Sequence, residues 1–221
     1  MIRSVIFDMD GLLVDTERLS MSCWHQALAE LGLSFSESLI LQGRGQSPAE
    51  MEPRFCRFYG DQLKDFFALY TRKNELMDMV TAEEGEHLKV GAITLLRWLK
   101  SEGYTISLAT STDEQRATTR LRRVGIYDYF DRMVFGPMVS RYKPAPDIFL
   151  KAIELLGRAP EECLVLEDSP NGILAAHAAG AKPMMIYDLT RPDEALQRLL
   201  WSEGVTLLDA ILVLQADRAA G

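Results

Sequence analysis

Four polar clusters stand where short apolar runs stop, and their placement limits the possible folds more than any other feature of this chain. Ser4-Val5-Ile6-Phe7 runs into Asp8-Met9-Asp10-Gly11. The run Tyr104–Ala109 ends on Thr110-Ser111-Thr112, and Cys163-Leu164-Val165-Leu166 ends on Glu167-Asp168-Ser169. Lys143-Pro144-Ala145-Pro146 lies in the loop between the last two. Short unbroken apolar runs suit strands buried on both faces. Met133–Phe135 and Met184–Tyr187 read as two further strands, and helical patterns separate the five. Such β/α alternation predicts an α/β fold, a doubly wound parallel sheet. In open parallel sheets ligands lie beyond the carboxyl ends of the strands, so the four clusters are expected to meet at one edge.

One stretch breaks the alternation. Between Asp15 and about His87 no strand is recognisable. Trp24, Ala27, Leu28 and Leu31 follow helical spacing with Gly32 as a stop, and a second helical block covers Asp61–Met79, with a Gly43-Arg44-Gly45 loop between. The stretch 16–87 is therefore expected to be an inserted α-helical domain, and the sheet domain to comprise 1–15 and 88–221. Within the latter, helices are expected through Leu95–Leu99 up to Gly103, over Thr112–Val124, from Pro146 at a first-turn position, over Ile173–Ala179, and in two stretches near the end. Thr112 and Gln115 are spaced as a capping box.

The balance of 24 Lys+Arg against 32 Asp+Glu leaves a net charge of −8. That argues against nonspecific nucleic-acid or anionic-membrane partners, which demand the opposite sign. No apolar run approaches the ~20 residues that span a bilayer. An acid arrives within the first eight residues, so no signal peptide is expected. Cys23, Cys56 and Cys163 lie far apart without a CxxC pair, consistent with reduced thiols and a cytoplasmic location. His25, His87 and His177 show no zinc-ligand spacing. An acidic chain that handles phosphate needs a metal or a few well-placed cations.

Taken singly, each cluster has a plainer reading. Asp8-x-Asp10-Gly11 could be a surface turn, though not a calcium loop, because the glycine comes fourth rather than sixth. Thr110-Ser111-Thr112 could cap a helix, a role compatible with anion binding. Lys143 could be a solvated loop lysine, and Glu167-Asp168 acids favoured at a helix start. Together and in this order, Asp8-Met9-Asp10-Gly11-Leu12-Leu13-Val14-Asp15-Thr16-Glu17, Thr110, Lys143-Pro-Ala-Pro-Asp and Glu167-Asp168-Ser169-Pro170-Asn171-Gly172 resemble the four motifs of the haloacid dehalogenase-like superfamily. The resemblance spans essentially the whole chain and is strongest to its β-phosphoglucomutase-like phosphatases, which have a helical cap.

The resemblance implies a Rossmann-like core and a Mg²⁺-dependent phosphatase acting on a small phosphorylated metabolite, a sugar or polyol phosphate. It implies Asp8 as the nucleophile and Asp10 as general acid and then base, with Asp8 held ionised by the metal and Asp10 easier to protonate. Mg²⁺ would be held by Asp8, Asp168 and the Asp10 carbonyl, with Glu167 direct or outer. Lys143, Thr110 and Ser111 would hold the phosphoryl group. Thr16, Arg44, Gln46, Arg72, Lys73 and Asn74 are candidate contacts from the cap, with Lys73 foremost. Asp10 argues against dehalogenation, since the dehalogenases of the superfamily lack that second acid. Ser20 and Gln46 stand where the mutase has histidine and arginine, which argues against a phosphomutase. That activity, or a non-catalytic regulator binding Mg²⁺ or phosphate, remains the alternative. The sequence sets no oligomeric state.

Overall fold

Burial decides where the strands fall. A computed structural model describes residues 1–187 and 191–220. Its strands are β1 (Ser4–Phe7), β2 (Thr105–Thr110), β3 (Arg132–Phe135), β4 (Cys163–Glu167), β5 (Lys182–Ile186) and β6 (Ser202–Gly204). Every residue of β1 and β4 is buried. The six strands form one parallel sheet in the order β3-β2-β1-β4-β5-β6. Four expected strands shift by one or two residues at an end, and β6 was not anticipated. Its sequence Ser202-Glu203-Gly204 has no apolar run, and it pairs with β5 only at the sheet edge. Alternation along the strands splits the core: Val5, Phe7, Leu164 and Leu166 belong to one cluster, Ile6, Cys163 and Val165 to another.

The 16–87 stretch folds as four helices, α1 (Glu17–Glu30), α2 (Glu37–Leu41), α3 (Pro48–Tyr59) and α4 (Phe66–Glu84). They share their own apolar cluster, with Trp24, Phe55, Phe66 and Leu69 at its centre. Chain entry and exit lie side by side, Asp15 N donating to His87 O and Lys89 N to Leu13 O, both at 2.9 Å or less. Helix α3 went unseen in the sequence because Pro53 interrupts its interior. Its capping box, Ser47 with Glu50, was nevertheless a visible start signal. The block expected from Asp61 begins as a 3-10 turn, and α4 starts after Asp65, whose side chain accepts from Ala68 N.

The remaining helices are α5 (Ala92–Ser101), α6 (Glu114–Arg123), α7 (Asp147–Leu156), α8 (Pro170–Ala178), α9 (Glu194–Gln197) and α10 (Asp209–Ala220). Two caps differ from expectation. Asp113, not Thr112, caps α6 by accepting from Arg116 N, and Pro146 is the residue before α7 rather than its first. Thr112 is freed for another partner. Among the described residues no helix is long and apolar enough to cross a membrane.

Candidate active site

The strand order reverses between β1 and β4, the position where open α/β sheets bind ligands. Phe7 pairs with Leu166, so Asp8 and Glu167 emerge side by side. Lys143 Nζ lies between them, donating to Asp8 Oδ1 and Glu167 Oε1, each at 2.5 Å. The lysine is 1% exposed, so the plain reading of a solvated loop residue fails. Asp168 N, Ser169 N and Ser169 Oγ donate to Glu167 Oε2, which locks that carboxylate against the start of α8. Two glycines are required here. A Cβ on Gly172 would fall within 2.3 Å of the Glu167 carboxyl atoms, and one on Gly11, whose φ is +83°, would strike Asp168.

Asp8, Glu167 and Asp168 each present a carboxylate oxygen within 4.8 Å of the others, and all three are buried. Burial pushes Asp8 up to about 8, against the pull of Lys143 and with Glu167 adding to the rise. Burial also raises Asp168, although Arg44 opposes it. Burial would lower Lys143, but Asp8 and Glu167 outweigh it and hold the ammonium charged. Three crowded buried carboxylates with oxygen donors only are the donor set of a hard divalent cation such as Mg²⁺. The residues present fit the ion.

Asp10 faces different neighbours. Its Oδ1 accepts from Thr16 Oγ1 at 3.1 Å and from Arg120 Nη1, and its Oδ2 accepts from Thr112 Oγ1 at 2.8 Å. Burial would raise its pKa, but Arg120, the two hydroxyls and Lys73 together bring it below the ordinary carboxylate value. Arg120, absent from the sequence reading, makes Asp10 an ion-paired carboxylate.

Thr110 and Ser111 lie in the wall as expected. Thr110 Oγ1 accepts from Thr112 N at 3.1 Å, and Ser111 Oγ donates to Gly45 O at 2.9 Å, tying the sheet edge to the helical unit. These groups enclose a cavity of about 360 Å³ between the sheet edge and the helices. Thr16, Arg44, Gln46, Lys73 and Asn74 line it, and Arg72 does not. Arg72 points outward and pairs with Glu30 and Glu75 on the surface, which corrects its candidacy. Arg44 is buried against Glu17 and Asp168. Gln46 accepts from Arg54, and Lys73 Nζ lies 5.7 Å from the ring centres of both Trp24 and Tyr70. Sequence reasoning missed Thr112, Arg116, Arg120 and Glu17. Arg116 and Arg120 had one available signal, a spacing of four on a helix that starts at the end of β2.

The haloacid dehalogenase-like hydrolase family matches residues 2–180. A phosphorylated carbohydrates phosphatase of Thermotoga maritima is 36% identical over 179 residues, 80% of this chain and 81% of that protein. A β-phosphoglucomutase of Bacillus subtilis is 33% identical over 85% of this chain and 88% of its own. The crystal structure of a hydrolase from Pseudomonas syringae superposes with a TM-score of 0.82 at 26% identity, covering 98% of this chain and 99% of the other. Motifs, sheet order and relatives agree that the chain belongs to the haloacid dehalogenase-like hydrolases, among their β-phosphoglucomutase-like phosphatases.

Proposed function

We propose that this enzyme hydrolyses the phosphate monoester of a small sugar or polyol in the cytoplasm, with Mg²⁺ and through an aspartyl phosphate on Asp8. The observation that carries the reading is the convergence of Asp8, Lys143, Glu167 and Asp168 on the floor of a 360 Å³ cavity. That volume suits a small metabolite. The helical unit acts as a cap domain, closing over the ester and excluding water.

Carboxylate attack on a phosphate dianion meets strong repulsion, since even two unit charges at ~4 Å repel by about 4 kcal/mol at an effective dielectric of roughly 20. Asp8, Asp168, Glu167 and the Asp10 carbonyl would hold Mg²⁺, which would supply the compensating charge. Lys143, already bonded to Asp8, orients the nucleophile and adds a second positive charge beside the transferring group. Thr110 and the Ser111 N–H hold phosphoryl oxygens. Asp8 attacks phosphorus, the ester bond breaks, and a proton taken up by Asp10 goes to the leaving oxygen. Asp10 then removes a proton from the water that attacks phosphorus and frees Asp8. Its ion-paired state suits the second step.

Phosphate release from a panel of sugar and polyol phosphates tests this. Turnover is expected with Mg²⁺, none with excess chelator, and a loss of at least about 10³-fold in Asp8→Asn. Turnover indifferent to chelator or to that substitution refutes the reading. Interconversion of hexose phosphates primed by a bisphosphate, in place of release, makes the enzyme a mutase. The β-phosphoglucomutase relative keeps that outcome in the assay, whereas Ser20 and Gln46 in the cavity wall favour hydrolysis.

A further inference from the structure

Arg120 has no role in the steps above, yet it is a buried charged group at the site. Its side chain is 8% exposed and projects from α6 between two carboxylates. Nη1 donates to Asp10 Oδ1, and Nε donates to Glu86 Oε1 at 2.5 Å. The Glu86 side chain is 3% exposed, and its second oxygen has no hydrogen-bond partner. Glu86 lies on the return segment from α4 to α5, beside the His87–Asp15 contact. The other two donors to Asp10, Thr16 and Thr112, are hydroxyls that rotate about one bond. Among the described residues the guanidinium is the only charged group hydrogen-bonded to that carboxylate, and its rigid fork spans two acids as an ammonium cannot.

We propose that Arg120, braced by Glu86, is the positioning residue that holds the Asp10 carboxylate aimed for water activation, and so commits phospho-Asp8 to hydrolysis. The proposal rests on the hydrolytic reading above. In the step it governs, a water oxygen bonds to phosphorus while the bond from phosphorus to Asp8 breaks. The electron pair returns to the Asp8 carboxylate, and the proton of the water goes to Asp10. Attack by Asp8 on a substrate with a good leaving group needs little from Asp10. Loss of Arg120 therefore slows the second half-reaction selectively, and the aspartyl phosphate accumulates.

The experiment is acid quenching of Arg120→Lys, Glu86→Gln and Asp10→Asn during turnover of radiolabelled p-nitrophenyl phosphate with Mg²⁺, alongside kcat and kcat/KM. Arg120→Lys is expected to lower kcat about tenfold or more while kcat/KM stays within about threefold, with most of the enzyme trapped as phosphoenzyme. Glu86→Gln shifts the same quantities the same way by less. A merely structural role lowers kcat and kcat/KM together without trapping; that result, or an unchanged kcat, overturns the proposal. Should Asp10→Asn trap phosphoenzyme and Arg120→Lys not, the proposal falls and the hydrolytic reading stands. Trapping in none of the three brings down that reading and the proposal with it.

Discussion

On the sheet side of the cavity, Asp8, Glu167 and Asp168 stand on adjacent strand ends whose register fixes their spacing, and Lys143 neutralises two of them from one point. On the helical side, Arg44 comes from the loop after α2, Gln46 from the turn before α3, and Lys73 from the middle of α4. Arg44 is tied back to Asp168, while Lys73 has no carboxylate partner among the described residues and lies between two aromatic rings. The first wall is saturated with charge pairs that, under the proposed function, an ester phosphate and a cation would rearrange. The second leaves one buried ammonium facing the cavity. The contrast separates the chemistry, which the sheet topology dictates, from recognition of the molecule, which depends on how three helices pack.

The largest effect should come from emptying the saturated wall. Lys143→Met leaves Asp8 and Glu167 buried without their common partner. Breaking a buried pair on one side costs about 3–5 kcal/mol, so the urea midpoint should fall accordingly and turnover should vanish. Added Mg²⁺ should return part of the lost stability, because the carboxylates then regain a cation. A variant as stable as the parent without Mg²⁺ would show that the sheet edge does not depend on this lysine.

The same contrast explains what the sequence disclosed. Asp8, Asp10, Thr110, Lys143, Glu167 and Asp168 were legible because each follows an apolar strand or a Lys-Pro loop, and a parallel sheet leaves strand ends one place to go. Arg120 was far less legible, its spacing of four from Arg116 being the one signal. In Glu114-Gln115-Arg116-Ala117-Thr118-Thr119-Arg120-Leu121-Arg122-Arg123 it is one of four arginines, and composition alone makes this a solvated helix. Only the packing of α6 separates Arg120 from Arg122 and Arg123, which are exposed. Arg72 and Lys73 posed the same problem on α4. The edge strand β6 escaped because three residues paired on one side need no apolar pattern.

A smaller effect belongs to the Lys73 ammonium, whose hydrogen bond goes to the neutral Asn74 Oδ1. Burial, partly offset by Glu17 and Asp10 and deepened by Arg116, lowers Lys73 from 10.5 to about 8. Between those values the unfolded chain binds the extra proton, so folding stability gains from Lys73 as pH rises from about 8 toward 10.5. At pH 7 the charged, buried form is a cost on the order of 3 kcal/mol. Lys73→Met should therefore melt higher than the parent at pH 7, with the gap closing toward pH 10. Its KM for phosphorylated substrates should rise about tenfold with kcat less changed, because binding shared by ground and transition states is lost. A parent KM that climbs above pH 8, flattened in the variant, would identify the ammonium as the substrate contact. Unchanged KM would move recognition to Arg116 or Gln46.

The smallest effect is expected one residue away. Successive side chains on an α-helix diverge by roughly 100°, and that turn separates the inward Lys73 from the outward Arg72. Arg72 Nε and Nη2 bond both oxygens of Glu30 at 2.7 and 3.0 Å, and Nη1 reaches Glu75 at 3.2 Å, all in solvent. Exposed ion pairs of this kind contribute little and weaken with salt. Arg72→Ala should leave KM and kcat at parental values on every substrate, with a small fall in melting temperature that disappears in high salt. A raised KM in Arg72→Ala matching that of Lys73→Met would mean that α4 as a whole, through its tie to Glu30 on α1, shapes the pocket. The distinction between an inward contact and an outward brace would then collapse, and the helical wall would be as tightly coupled as the sheet edge.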